Sequence, residues 1–169
     1  MDLLLVRHAE AENAGDGRSD FERRLTAHGH ASAAEMAAGL ALCVRNQVAL
    51  WSSPLLRTRE TAAHLAQALG VAVSRYADAI PAGDLSQLRH DWQSLSPQIN
   101  TLIIVGHQPH LGVWGAQLMG ISLPVKKASV IAIALDSAGM GGQLLWYAQS
   151  VALARLGGGQ IRHQGWPAL

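Results

Sequence analysis

Two histidines and two arginines of this chain stand beside apolar runs, at positions where ligands often bind. Arg7 and His8 directly follow the first apolar run, and His107 follows another one further along the chain. Arg57 lies in the first turns of a helix predicted after a third apolar run. Guanidinium groups form fork-shaped pairs of hydrogen bonds with phosphoryl oxygens. These residues indicate a phosphoryl site without a metal, since the sequence shows no Asp/His cluster at metal-ligand spacing.

Each of these four residues has an ordinary explanation when it is taken alone. A histidine after a strand is usually a hydrogen-bonded rim residue, and an arginine early in a helix is usually a solvated ion-pair partner. Their joint placement favours a common site, because the carboxyl ends of parallel strands meet at one edge of a sheet. Helix starts predicted at Ser53-Pro54 and near Gln108-Pro109 add N–H groups and partial positive charge at that edge.

The segments that must place these residues alternate between strands and helices. Strands are predicted over 3–7, 48–52, 71–76, 101–105, 129–135 and 144–149. Helices are predicted from Thr26 to Arg45, from Ser53 to Gly70, from Asp84 onward and from Pro109 to Gly120, the first three each capped by the residue that opens it. The last two strands flank a glycine-rich turn and are expected to form a hairpin. This order predicts an α/β fold with a mainly parallel sheet and an antiparallel component.

Composition limits the classes of protein to which the chain can belong. The 169 residues carry a formal net charge of +1 and no basic run, so we expect no nucleic-acid or membrane-surface partner. No apolar run approaches the ~18 residues of a membrane span, and Cys43 is the single cysteine, which excludes a disulfide framework. We expect one domain over 1–150, a loosely held C-terminal tail over 151–169, a cytoplasmic location and a monomer.

Three short motifs resemble those of the histidine phosphatase superfamily, which includes the phosphoglycerate mutases. LVRHAE at 5–10 resembles its Arg-His-Gly signature, SSPLLRTRETA at 52–62 resembles Ser-Pro-x-x-Arg-x-x-x-Thr, and VGHQP at 105–109 is similar to Gly-His-x-Pro. Ala9 stands where the signature has glycine. The short segment between Thr61 and Val105, with its Pro-x-Gly-Asp stretch, is similar to the compact SixA-type phosphohistidine phosphatases. The resemblance covers about residues 2–150.

The resemblance implies a fold and a mechanism. The fold is phosphoglycerate mutase-like, with three α/β/α layers and a mainly parallel sheet carrying an antiparallel strand. The activity is that of a phosphatase in which His8 forms a covalent phosphohistidine intermediate, while Arg7, Arg57 and His107 bind the phosphoryl oxygens. Neighbouring arginines should keep the attacking imidazole neutral. The resemblance implies no cofactor and no metal ion, and it suggests phosphohistidine in a partner protein as the substrate.

The sequence does not identify the residue that protonates the leaving group. Larger family members place a Glu or Asp after the third strand, and this chain offers Asp78 and Asp84 there but no glutamate after Glu60. Asp84 is a possible general acid, although helix capping is the favoured role for it. The small number of candidate acids favours phosphohistidine as the substrate, because the P–N bond is labile and the departing nitrogen is easily protonated. The alternatives are a small-molecule phosphomonoesterase or mutase, and a non-catalytic phosphoprotein-binding module.

Three further residues are secondary candidates for contact with the substrate. Asn13 and Arg18 belong to the long polar loop after the first strand, and loops of this length in compact proteins are often functional. His110 follows Pro109, where the resemblance leads us to expect a small or aliphatic side chain.

Overall fold

The computed structural model describes residues 1–13, 15, 19–44 and 47–158. A six-stranded sheet runs through this part of the chain. Its strands are β1 (Asp2–Arg7), β2 (Val48–Ser52), β3 (Val73–Tyr76), β4 (Thr101–Gly106), β5 (Val130–Leu135) and β6 (Gly142–Ala148). All of the predicted strands are present, and their ends differ from the predicted ones by a residue or two.

Helices connect the strands in the described part of the chain. They are α1 (Ala27–Cys43), α2 (Leu56–Leu69), α3 (Ala79–Ala82), α4 (Leu85–Trp92), α5 (His110–Met119) and α6 (Ser150–Leu156), with a 3₁₀ turn at Asp20–Glu22. Thr26 and Asp84 cap α1 and α4 through their side chains, as predicted. The single-turn helix α3 lies in a segment predicted to be a loop, and the burial of Ile80 accounts for it. No helix among the described residues is long and apolar enough to cross a membrane.

The order of the strands brings three carboxyl ends together. The sheet runs β3-β2-β4-β1-β5-β6, and the first four of these strands are parallel to one another. β5 runs antiparallel to both β1 and β6, so the predicted hairpin is confirmed. Arg7 lies opposite Gly106, and Ser52 lies opposite Val105. The residues that follow β1, β2 and β4 therefore emerge side by side at one edge of the sheet.

Alternate residues of β1 pack on opposite faces of the sheet. Leu4 and Val6 belong to an apolar cluster with α1, α2 and α6, whereas Leu3 and Leu5 belong to a second cluster with α3, α4 and α5. This alternation follows from the two-residue period of a strand that is covered on both faces. The predicted three-layer α/β/α architecture is confirmed.

The start of α2 differs from the prediction. The sequence pattern placed an N-cap at Ser53 and the first helical residue at Pro54, but the helix begins at Leu56 and its N-cap Leu55 makes no side-chain capping bond. The reason is that Ser53 is fully buried and its hydroxyl lies 2.8 Å from a histidine nitrogen. Gly70 ends the helix with φ 67°, in the left-handed conformation that favours glycine.

The C-terminal tail also differs from the prediction over its first residues. A loosely held tail was expected from residue 151, but Ser150–Leu156 forms α6, which buries Leu153 and Ala154. The helix packs on α1 at Gly39, where a Cβ atom would lie 1.9 Å from the carbonyl oxygen of Leu153. The apolar layer thus holds this segment in place. Residues 159–169 lie outside the described residues, as does Arg45, the predicted end of α1.

Replacing Gly39 with alanine should loosen the contact between α1 and α6. The new methyl group would meet a backbone oxygen, which cannot turn away, so we expect a loss of about 1–3 kcal/mol in the free energy of unfolding. Guanidinium unfolding measures this loss. Gly115→Ala on α5 is the matched control, because its Cβ would meet only the ends of two side chains, Ile131 at 3.4 Å and Met119 at 3.6 Å. Equal stability of Gly39→Ala and the wild type would contradict the described packing.

Candidate active site

The two histidines predicted to share a site lie next to each other. The N–H of His8 donates to the carbonyl of Gly106 at 3.1 Å, which continues the β1–β4 pairing one residue beyond the strand. The imidazole rings of His8 and His107 are 5.4 Å apart between centroids and are tilted by 56°. Both side chains are buried. The parallel register of the two strands therefore sets the distance between the rings.

A backbone contact fixes the proton of the His8 ring. Nδ1 of His8 lies 2.7 Å from the carbonyl oxygen of Ala9. Because a carbonyl oxygen only accepts hydrogen bonds, Nδ1 carries the proton and the lone pair is left on Nε2. Thr61 of α2 holds the same backbone, since its Oγ1 accepts from the N–H of Ala9 at 3.2 Å and donates to the carbonyl of Arg57 at 2.8 Å. The ring is thereby oriented with an unprotonated Nε2.

Burial and positive charge keep both imidazoles neutral. Burial is the main cause that lowers the pKa of His8 from 6.5 to about 4, and the charges of Arg57, Arg7 and Arg23 act in the same direction. The hydrogen bond to Ala9 opposes this shift only in part. Burial, followed by the charge of Arg57, lowers the pKa of His107 to about 3. At neutral pH the site therefore contains two uncharged rings, and its positive charge comes from guanidinium groups.

Ser53 holds the second histidine in place. Its Oγ lies 2.8 Å from Nε2 of His107, and both side chains are buried. Nδ1 of His107 is buried and has no hydrogen-bond partner among the described residues. A capping role was predicted for Ser53, because Ser-Pro before a helical pattern is a common helix start. Its contact with His107 depends on the pairing of β2 with β4, which links residues 52 and 105.

The two arginines reach the site from β1 and α2. Arg57 is buried, and it donates from Nη1 to the carbonyl of Asp20 at 2.6 Å and from Nη2 to Oδ2 of Asp20 at 2.9 Å. Arg7 donates from Nη1 to the carbonyl of Val125 at 2.9 Å. The Nε atoms of both arginines are buried without a partner among the described residues. Buried donors of this kind favour a ligand that supplies acceptor oxygens.

Asp20 and Arg23 are site residues that the sequence analysis missed. Arg23 donates from Nη1 to Oδ1 of Asp20 at 2.9 Å and from Nε to the carbonyl of Glu12 at 2.7 Å. Its charge also lowers the pKa of His8. Both residues belong to a loop rich in charge of both signs, and nothing in that pattern distinguishes the residues that fold back onto the site.

Asp84, the possible general acid, has another partner. Its exposed carboxylate accepts from the N–H of Gln87 at 2.9 Å and so caps α4. Asp78 is also exposed and makes no capping bond at the start of α3. His110 stacks on Trp114 with 6.2 Å between ring centroids, beside Gly83. Among the secondary candidates, Asn13 is exposed, and Arg18 lies outside the described residues.

Comparisons with known proteins identify the family. The model of the histidine phosphatase superfamily (branch 1) matches residues 3–81. An uncharacterized protein of Picosynechococcus sp. (strain PCC 7002) is 33% identical over 141 residues, which make up 79% of this chain and 84% of that protein. The chain belongs to the histidine phosphatase superfamily. Membership of this superfamily indicates phosphatase chemistry, in line with the expectation from the three motifs.

Solved structures share the fold of this chain. The protein histidine phosphatase SixA complexed with tungstate has a TM-score of 0.79 and 24% identity, over 90% of this chain and 99% of that chain. A phosphoglycerate mutase from Bacillus anthracis has a TM-score of 0.70 and 12% identity, over 93% of this chain and 96% of that chain. The predicted phosphoglycerate mutase-like fold is confirmed.

Mild acid should destabilise the folded chain between pH 6.5 and about 4. In that range His8 and His107 become protonated in the unfolded chain but stay neutral in the folded chain, where their pKa values are about 4 and about 3. The free energy of unfolding decreases as the pH is lowered, because the unfolded state binds more protons than the folded state. The decrease is roughly 1.4 kcal/mol per pH unit for each such histidine. Guanidinium unfolding at about pH 7 and about pH 5 measures the change.

The matched controls for this prediction are glutamine variants. The double variant His8→Gln/His107→Gln should lose most of the pH dependence of the unfolding free energy. The variant His90→Gln, at an exposed position, should keep most of it. Burial also lowers the pKa of His64, which contributes in the same direction to every variant. An unchanged pH dependence in the double variant would refute the assignment of two buried neutral histidines.

Proposed function

We propose that this chain is a metal-independent phosphatase that removes the phosphoryl group from phosphohistidine in a protein, through a covalent intermediate on His8. The observation that carries the proposal is the state of the His8 ring, which is neutral, protonated on Nδ1 and unprotonated on Nε2. An imidazole in this state is a nucleophile. The guanidiniums of Arg7 and Arg57, whose Nε atoms have no partner among the described residues, supply the complementary charge for a phosphoryl group.

The first step transfers the phosphoryl group to the enzyme. Nε2 of His8 attacks phosphorus in line, the bond between phosphorus and the substrate nitrogen breaks, and the electron pair stays on that nitrogen, which takes a proton from solvent. Arg7, Arg57 and His107 hold the three equatorial oxygens, over which the transition-state charge spreads. Because Arg57 and His107 are buried and Arg7 is half-buried, these donors are already held in place and little reorganisation is needed when the charge develops.

The second step returns the enzyme to its starting state. The oxygen of a water molecule forms a bond to phosphorus, the bond to Nε2 of His8 breaks, and inorganic phosphate leaves. The electron pair returns to Nε2, and the proton lost by the water goes to phosphate or to solvent. The hydrogen bond from Nδ1 to the carbonyl of Ala9 persists throughout, so the ring keeps its orientation and its tautomer.

Phosphohistidine is favoured as the substrate because neither Asp20 nor Asp84 is well suited to protonate a leaving group. Asp20 is the carboxylate bound to Arg57, and hydrogen bonds from Arg23 and Arg57 lower its pKa, so it is ionised and has no proton to give. The carboxylate of Asp84 caps α4. An alkoxide leaves poorly without a proton donor, whereas a substrate imidazole is easily protonated. The similarity to a protein histidine phosphatase supports the same class of substrate.

A second candidate is a small-molecule phosphomonoesterase or mutase in which Asp84 supplies the proton. One observation favours it. Gly83, which precedes Asp84, lies so close to His110 that a Cβ atom there would be 2.4 Å from Nδ1 of His110. His110 is three residues after His107, so the segment that carries Asp84 borders the edge of the site. A non-catalytic phosphoprotein-binding module is the least favoured candidate, since it requires no nucleophile.

The substrate class is tested by hydrolysis of a phosphohistidine-bearing protein beside p-nitrophenyl phosphate and 3-phosphoglycerate, all in EDTA. We expect release of phosphate from phosphohistidine to be fastest, to be abolished by His8→Ala and to be unaffected by Asp84→Asn. Faster hydrolysis of the esters that is lost in Asp84→Asn would establish the second candidate instead. Phosphate binding without a phosphoenzyme would establish the binding module.

Arg57→Ala should greatly slow the reaction. Loss of one preorganised donor to the transition state typically lowers the rate by about 10²–10³-fold, and we expect kcat/KM for phosphohistidine to fall in that range. Arg59→Ala is the matched control, because Arg59 lies on the same helix, is exposed and stacks over Tyr76. A loss of less than about threefold in Arg57→Ala would refute its role in binding the phosphoryl group.

A further inference from the structure

We propose that Asp20 is a positioning residue, which holds the guanidinium of Arg57 in the orientation that binds the phosphoryl group. The proposal rests on the proposed function, because it assigns to Asp20 an effect on a step carried out by Arg57 and His8. Asp20 itself touches neither histidine through a hydrogen bond. It acts through Arg57, whose guanidinium it binds.

The contacts between Asp20 and the arginines fix the direction of both guanidiniums. Oδ2 of Asp20 accepts from Nη2 of Arg57 at 2.9 Å, and its backbone carbonyl accepts from Nη1 at 2.6 Å. Oδ1 accepts from Nη1 of Arg23 at 2.9 Å. One carboxylate therefore bridges two arginines whose charges both lower the pKa of His8. Loss of the carboxylate would leave two like charges side by side without the anion that orders them.

Asp20 leaves Arg57 with donors for a substrate. It takes one N–H from each Nη atom, so the Nε–H and the second N–H of each Nη stay available. Nε is buried and has no partner among the described residues. The side chain of Arg57 is 7% exposed, whereas that of Asp20 is 58% exposed. Asp20 thus holds the guanidinium from the outer side, and the remaining donors can meet the phosphoryl oxygens.

Local hydrogen bonds in turn hold Asp20. The 3₁₀ turn at Asp20–Glu22 is closed by Glu22, whose Oε2 accepts from the N–H of Ser19 at 3.2 Å and from its Oγ at 2.8 Å. Arg23 then ties the turn to the carbonyl of Glu12 at 2.7 Å. This support keeps the carboxylate in place before any substrate arrives. A side chain as long as arginine otherwise loses rotamer freedom on binding, which slows the reaction.

The contact between Asp20 and Arg57 could also have an inhibitory role, which predicts the opposite effect on phosphate binding when the carboxylate is removed. A carboxylate on a phosphate-binding arginine could compete with the phosphoryl group, as an internal anion that must be displaced. In that case, removal of the Asp20 carboxylate would tighten phosphate binding. If Asp20 positions Arg57, removal of the carboxylate weakens phosphate binding and lowers turnover. The exposed position of Asp20 and the donors left on Arg57 favour positioning.

The kinetic test compares Asp20→Ala and Asp20→Asn in the full chain, with phosphohistidine as the substrate. We expect Asp20→Ala to lower kcat/KM by about tenfold to 100-fold, mainly in kcat, and Asp20→Asn to lose less because it keeps an acceptor. Glu35→Ala on the exposed surface of α1 removes the same charge and is the control. In an Arg57→Ala background, Asp20→Ala should change the rate by less than about twofold, since it acts through Arg57. An equal loss in both backgrounds would overturn the proposal.

A binding test separates this proposal from the proposed function. Calorimetry with tungstate, an oxyanion that resembles phosphate, needs no turnover. We expect Asp20→Ala to weaken tungstate binding several-fold relative to the wild type and Glu35→Ala. Tighter binding in Asp20→Ala would establish the competing role and overturn ours. If the wild type hydrolyses no phosphohistidine but its tungstate affinity falls in Asp20→Ala, the proposed substrate fails and the role of Asp20 stands.

Discussion

Strands β1 and β4 end at the same level of the sheet, because Arg7 lies opposite Gly106 in a parallel pair, and the site depends on this register. It places the backbones of His8 and His107 side by side and leaves their rings 5.4 Å apart. A slip by one residue would turn the side chains of β1 to the opposite faces of the sheet. The apolar layers on both faces oppose such a slip, so the packing of the core also fixes the geometry of the chemistry.

The site combines buried neutral bases with buried cations. Taking the imidazoles out of water lowers their pKa, and the arginines strengthen the effect, so the rings stay uncharged in a strongly positive environment. Such an arrangement lowers the stability of the fold, because each buried donor without an acceptor carries a desolvation penalty. Under the proposed function, a phosphoryl group would remove this penalty when it binds. Part of the affinity for the anion would then come from hydrogen-bond donors that have no acceptor in the free protein.

Much of the fold and part of the site can be predicted from the sequence. The strands can be predicted from the apolar runs. His8 and His107 can be predicted as site residues because each directly follows a strand, so the pairing of the backbones places both at one edge of the sheet. Ser53 and Asp20 cannot be predicted in this way. The local pattern around Ser53 is that of a helix cap, and its contact with His107 arises from strand pairing. Asp20 reaches Arg57 only because a loop folds back onto the site. The helix α6 was not predicted because it is stabilised by packing against α1, and its local sequence is followed by a run of glycines.

The hydroxyl of Thr61 has a further consequence for how the enzyme fails. Its oxygen atom accepts from the N–H of Ala9, beside the proposed nucleophile, and donates to the backbone carbonyl of Arg57. One side chain of α2 therefore contacts the backbone of both residues to which the proposed mechanism gives a role. If that mechanism holds, loosening of this helix disturbs the two together, and heat inactivation should follow the melting of α2.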